Sequence, residues 1–157
     1  HRVEGAPKID QLYCDALELR FRRVAGGGGD PRNNKGIETA LATARPGREL
    51  SLSMDTENLE AYGSKLFYRS ATDNGGPQTI LEGQPMHAFR DGHKIMAREL
   101  HLIGADKKGN GQQAYAKGPG RIDLLDKNGA TPRYTTHALW SDSLIATKDK
   151  DGDTSTY

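Results

Sequence analysis

Cysteine is almost absent from this chain: Cys14 stands alone among 157 residues. A single thiol excludes an internal disulfide and any multi-cysteine zinc site. It leaves the compartment open, because exported proteins can also lack bridges. Aromatic residues are scarce at 6 %, and hydrophobic residues in total reach 34 %. So little apolar material does not cover two fully buried layers, and an elongated or open architecture is expected. No apolar run is long enough to span a membrane as a helix. A dominant sign of charge is missing too. The 22 basic and 21 acidic residues leave a net charge of +1. They are interspersed, which argues against a nucleic-acid partner. Arg20, Arg22 and Arg23 form a local basic cluster and read as a solvated strand face. No signal peptide is visible, yet the chain begins with His1 rather than Met, so it reads as a mature or trimmed product.

Recognisable catalytic constellations are missing as well. No GxSxG motif occurs, and spacing assembles no Ser/His/Asp set. Cys14 falls on an apolar parity and reads as a small buried hydrophobe rather than a nucleophile. His87, His93 and His101 are six and eight residues apart, without the ligand spacing of a zinc site. Asp149-Lys150-Asp151-Gly152-Asp153 hints at calcium, but glycine comes too early and no glutamate follows. The paired acidic residues Asp10 and Asp15, or Glu57 and Glu60, read as surface strand and turn residues. The expectation is a protein without enzymatic activity, metal or cofactor.

What the chain does have is alternation. Leu17-Glu18-Leu19-Arg20-Phe21-Arg22 places apolar residues at every odd position. Leu50-Ser51-Leu52-Ser53-Met54, Met86-His87-Ala88 and Ile122-Asp123-Leu124 repeat the scheme. Period two is the mark of half-buried antiparallel strands. Residues 36–45 lack a second apolar row and are also read as a strand. Asp91-Gly92 and Asn128-Gly129 suit two-residue type I′ hairpin loops. Pro46-Gly47 and residues 73–77 read as turns. The tetraglycine stretch at 25–36 predicts a mobile loop and, with no helix after it, not a phosphate cradle. A two-residue loop at Asp91-Gly92 sets Arg90 opposite His93, Ala88 opposite Ile95 and Met86 opposite Ala97. Met86, Ala88, Ile95 and Ala97 then share one apolar face.

One eight-residue word is written twice. Leu12 and Cys14 share one parity, and Leu17 and Leu19 share the other. Ile95 and Ala97 share one parity, and Leu100 and Leu102 the other. A weaker third copy has Leu139 and Ser141, then Leu144 and Ala146. One extra residue in each strand restores all of these to a single side, as in a β-bulge or a sharp corner. The irregularities are expected at Asp15-Ala16, Arg98-Glu99 and Asp142-Ser143. Trp140, opposite in parity to Leu139, is expected to cap the outside of the sheet or anchor a partner contact. The same bend repeated implies a single all-β domain over 1–157. Its stacked antiparallel strands form an open, twisted β-roll or jelly roll around one apolar seam. Its end strands carry unpaired backbone groups.

Three stretches resemble a known family. They are Leu59-Glu60-Ala61-Tyr62-Gly63 with Leu66-Phe67-Tyr68, then Leu81-Glu82-Gly83-Gln84-Pro85, then the run from Asp91 to Leu102. An Ala-x-Ala-x-Gly strand follows at 114–118. In this order and spacing they are similar to the OstA/LptA-type lipopolysaccharide-transport proteins, over roughly residues 50–125. The resemblance implies stacked strands in a twisted open jelly roll, head-to-tail strand pairing with itself or related β-jellyroll domains, and acyl chains carried along an apolar groove. It implies a periplasmic or envelope location. On that reading Leu12, Cys14, Leu17, Leu19, Met86, Ala88, Ile95, Ala97, Leu100 and Leu102 line the lumen and touch a lipid or lipopolysaccharide-like amphiphile. Arg20 and Arg22 at the rim meet lipid phosphates. The alternative expectation is structural: the same open edges drive self-assembly into a filament or coat, with no lipid.

Overall fold

Period-two alternation over most of the chain leaves it one way to bury its apolar residues, in strands with one covered face. A computed structural model describes residues 9–22, 36–55, 58–72, 75–105, 112–128 and 131–148, with 154–156 as backbone. Most of the tetraglycine stretch and the calcium-like run at 149–153 lie outside the described residues. The strands are β1 (Asp10–Tyr13), β2 (Ala16–Phe21), β3 (Ile37–Thr43), β4 (Leu50–Met54), β5 (Leu59–Gly63), β6 (Lys65–Arg69) and β7 (Gln78–Arg90). Then follow β8 (His93–Ile103), β9 (Gln112–Lys117), β10 (Gly120–Asp126), β11 (Arg133–Trp140), β12 (Ser143–Lys148) and β13 (Thr154–Thr156). All pairings among them are antiparallel. The fold is all-β: an open, strongly curled sheet that forms a half-barrel.

The topology is a meander of bent rungs. β1 with β2, β3 with β4, β5 with β6, β9 with β10 and β11 with β12 each make one rung in two pieces. β7 and β8 cross the bend as unbroken strands. One wing of the sheet runs β1-β4-β5-β7-β8-β10-β11. The other runs β2-β3-β6-β7-β8-β9-β12-β13. Backbone hydrogen bonds bridge the crease between them. Asp15 N donates to Thr43 O at 3.0 Å, Ala44 N to Ser64 O at 2.9 Å and Ser64 N to Glu82 O at 2.8 Å. Gly118 N donates to Asp142 O at 2.7 Å. The sheet therefore bends without losing its ladder. Asp15 also anchors the crease: its carboxylate accepts from Arg45 N at 2.8 Å and pairs with Arg48 at 2.8 Å.

The Asp91-Gly92 hairpin has the register that its sequence predicts, from Arg90 opposite His93 to Met86 opposite Ala97. Both loop residues have positive φ, 52° at Asp91 and 88° at Gly92, as a type I′ turn requires. Residues 36–45 contain a strand, β3, as expected. Asn128-Gly129 is different. The last β10–β11 pair is Asp126 with Arg133, so the connection is longer than a two-residue loop. Gly129 itself lies outside the described residues.

The repeated word bends where its parity changes. In the first copy the break falls at Cys14-Asp15, one residue before the expected place. In the second it is at Arg98, which lies alone between the pairs Glu82–Glu99 and Met86–Ala97. The third copy needs correction. Its break is at Ser141-Asp142, and Leu139 is 78 % exposed and paired with Arg121 on the outer face. The inward residues of that rung are Ala138 and Trp140, followed by Leu144 and Ala146. The inward residues across this bend are six apart, from Ala138 to Leu144, so parity is kept, whereas the spacing of five from Leu12 to Leu17 inverts it.

Register turns these words into ladders. In one wing Leu12, Leu52, Ala61, Ala88, Ile95, Ile122 and Ala138 lie side by side. In the other Leu17, Ala42, Leu66, Leu81, Leu100, Ala116 and Leu144 do the same. The core sits in the angle of the bend, where Ala42, Leu50, Leu66, Leu81, Met86, Ala97, Leu100 and Ala116 are buried. In the second wing three leucines, Leu66, Leu81 and Leu100, are flanked by Ala42 and Ala116 in one ladder. Met86 is fully buried, whereas Leu17 on the edge rung is 50 % exposed. Met86→Ala is therefore expected to lower stability by about 2–5 kcal/mol, and Leu17→Ala by less than about 1 kcal/mol. Urea unfolding of the two variants checks this, and a greater loss at Leu17 would contradict the direction of burial.

Candidate functional site

The concave face is the candidate site, and its depth is graded. Of the ten residues expected to line a lumen, Met86, Ala88, Ala97 and Leu100 are buried in the protein's own core. Leu12, Cys14, Ile95 and Leu102 are half-buried and pack against that core. Leu17 and Leu19, at 50 % and 39 % exposure, stand on β2, which pairs only with β3 and so has no neighbour to cover them. Register brings all ten to one side of the bent sheet. It also adds Leu52, Ala61, Ile122, Leu66 and Leu81, which sit in strands without the repeated word, and pairing with a neighbour places them on this face.

The bottom of the bend is filled. Leu50 and Met86 have no exposed surface, so nothing else occupies that level. The walls that remain accessible are Leu12, Leu52 and Ile95 on one wing and Leu102 and Leu144 on the other. Beyond them the second wing continues as Leu19, Ala40, Tyr68, Thr79, Leu102, Ala114 and Ala146. Such a surface offers non-directional apolar contact.

Trp140 does not cap the outside of the sheet. It turns inward against the core, and a Cβ on Gly120 would collide with its ring. Close approach of the indole to that backbone explains the glycine. Its Nε1 is buried without a hydrogen-bond partner among the described residues. The rim arginines are already engaged: Arg20 pairs with Glu18 at 3.2 Å, and Arg22 donates to Ser70 Oγ at 2.8 Å and to the Ala71 carbonyl. A lipid phosphate would have to compete with these partners.

Polar chemistry collects on the convex face. Beside the crease the ladder runs Thr43, Lys65, Glu82, Glu99, Lys117 and Ser143. Glu99 receives a hydrogen bond from His101 at 2.9 Å and faces Lys117 at 3.7 Å. The His101 hydrogen bond, with Lys117 adding attraction, holds its carboxyl below the usual carboxylate range. Asp123 is depressed in the same way by His137 and then Arg121, each at 2.6 Å. Asp91 is lowered by the Asn58 side chain, which donates to it at 2.8 Å and steadies the hairpin. Tyr62 is raised by desolvation and by Glu60. The next row out, Leu41, Phe67, Ile80, His101, Tyr115 and Ile145, is half-buried and largely apolar. Alternation within single strands did not reveal this second apolar row.

Among the described residues no three His, Cys, Asp or Glu side chains are placed to hold a metal ion. No described helix is long and apolar enough to cross a membrane. No protein-family model matches the chain, and no curated protein matches it.

The depressed carboxyls fix the sign of a pH effect. A folded-state value below the unfolded one contributes stability above the ordinary carboxylate range, and that stability is lost as pH falls through the folded value. Glu99→Gln is expected to remove on the order of 1 kcal/mol at neutral pH and to flatten the acid limb of the stability profile. Urea midpoints measured from neutral to acid pH test it, and an unchanged acid limb would show that Glu99 contributes nothing to the slope.

Proposed function

We propose that this chain is a non-enzymatic envelope module of the OstA/LptA type that binds lipid or lipopolysaccharide and carries acyl chains along its concave face. One observation carries the reading. Two apolar ladders, each unbroken over seven rungs, flank a crease that is open at the edge rungs. Aliphatic walls beside a filled core suit the side of an acyl chain, which needs area and no hydrogen bonds. The ion-paired row Lys65, Glu82, Glu99 and Lys117 lies on the convex side, away from the two apolar ladders. On this reading periplasmic or envelope location follows from the ligand. Related domains or further copies add at the edges by strand pairing, which extends the groove.

A second reading is favoured by the edge rung. Leu17, Leu19 and Phe21 are exposed on the unpaired side of β2, and the bottom of the crease needs no ligand to fill it. A self-assembling filament or coat subunit uses the same features.

Leu102 separates the two readings, because it lies on the accessible wall and away from the edge strands. Under the lipid reading, native mass spectrometry with added phospholipid and lipopolysaccharide detects bound lipid on the wild type and markedly less on Leu102→Glu. Electron microscopy of the lipid-free protein at rising concentration shows no regular filaments. Filaments formed equally by wild type and variant, with no lipid bound to either, would instead establish the scaffold.

A further inference from the structure

The pairing of β7 with β8 skips residues at one place. Between the pairs Glu82–Glu99 and Met86–Ala97, three residues of β7 stand against one residue of β8. Gln84 and Pro85 are exposed there, with Arg98 opposite them. Bulges of this kind re-aim side chains and recur beside binding sites. Here the bulge borders a hollow of about 590 Å³, a volume that suits a small polar ligand. Ser64, Glu82, Gln84, Arg98 and Glu99 supply its polar lining, and no aromatic ring takes part. Glu82 and Glu99 belong to the convex side, and Ala97 at the base of the hollow is shared with the buried core.

Its charges are unequal in their freedom. Glu82 is paired with Lys65 at 3.4 Å, and Glu99 with His101 and Lys117. Ser64 already donates to the Glu82 carbonyl at 3.2 Å. Arg98 and Gln84, by contrast, make no hydrogen bond or ion pair among the described residues. Arg98 is nevertheless held in place. A Cβ on Gly118 would lie 2.8, 3.0 and 3.1 Å from its Cδ, Cγ and Cβ, so the stem rests on the backbone of that glycine. A pinned stem with an unengaged guanidinium is pre-organised for a planar anion, which it can take in two parallel hydrogen bonds. The paired carboxylates keep lone pairs for hydroxyl donors, and the Gln84 amide both donates and accepts.

We propose that this hollow binds a carboxylate-bearing sugar, a uronic acid or related acidic saccharide, with Arg98 taking the carboxylate and Gln84, Glu82 and Glu99 taking hydroxyls. The proposal does not rest on lipid binding, because none of the polar residues that line the hollow belongs to the apolar ladders. Amide chemical-shift titrations of the whole chain with glucuronate, glucose and acetate test it. Glucuronate should shift the amides of Gln84, Arg98 and Glu99 in one saturable process, with glucose and acetate far weaker. Arg98→Ala should weaken glucuronate binding about tenfold and Arg98→Lys less. Spectra unchanged outside the hollow report that each variant is folded; should Arg98→Ala not fold, Gln84→Ala gives the same test with a smaller loss. Glucose binding as well as glucuronate would overturn the role of Arg98, and acetate binding as well would reduce the site to one for a simple anion. Absence of any saturable shift would overturn the site altogether.

Discussion

Everything in this fold depends on where each rung bends. A strand alternates its side chains with a period of two, so a straight rung carrying Leu12, Cys14, Leu17 and Leu19 would put half of them in water. The bend at Cys14-Asp15 turns all four to the same side. The same constraint acts at Arg98 in the central hairpin. Neighbouring rungs must bend at the same level, because the ladder hydrogen bonds run across the crease from Asp15 to Thr43, from Ala44 to Ser64 and from Ser64 to Glu82. A rung that bent elsewhere would leave backbone groups unpaired beside a buried core, at a cost of about 1–3 kcal/mol each. Packing and hydrogen bonding therefore impose one crease on the whole sheet.

How much of this could be read from sequence follows from the range of each signal. The β7–β8 hairpin was legible from its turn to Met86–Ala97, since Asp91-Gly92 fixes that register, but the three residues that β7 inserts before Met86 were not. The first two copies of the word were legible because both use a spacing of five, from Leu12 to Leu17 and from Ile95 to Leu100. The third rung uses six, from Ala138 to Leu144, and a search at fixed spacing settled on Leu139 instead. Asn128-Gly129 misled for a related reason. The dipeptide suits a tight turn, but the strands beside it stop pairing at Asp126 and Arg133. The ten residues read as a lumen lining lie toward the inner side of the bend, but their depth was not legible. Burial of Met86 and exposure of Leu17 depend on how many rungs lie to either side, and no local pattern carries that information.

The convex face was the least legible because its logic is two-dimensional. Lys65, Glu82, Glu99 and Lys117 are scattered through the sequence, yet they are consecutive in one ladder. Glu82 and Glu99 face each other directly, a repulsive pairing. Each is balanced by a lysine on its outer side. Arg98 escapes this balance because the bulge removes it from the ladder. Irregular backbone and a guanidinium with no ion pair among the described residues thus have a single origin, the extra residues that let β7 turn the crease.

The filled crease bears on both proposed roles. Small residues recur along the inner ladders, with Ala42, Ala61, Ala88, Ala97 and Ala116 all buried. They let the two wings approach until Leu50 and Met86 close the bottom without help from a ligand. A sheet that is stable on its own can remain open at its mouth, and a carrier needs that property because it must exist both loaded and empty. The same self-sufficiency would serve a scaffold subunit. The two roles therefore share the interior and part company at the mouth, where Leu12, Leu52, Ile95, Leu102 and Leu144 remain half-buried. Apolar surface kept partly in water at that level is unfavourable unless something covers it. An acyl chain would cover it in a carrier and a second copy in a scaffold, so the mouth is where the two proposed readings divide.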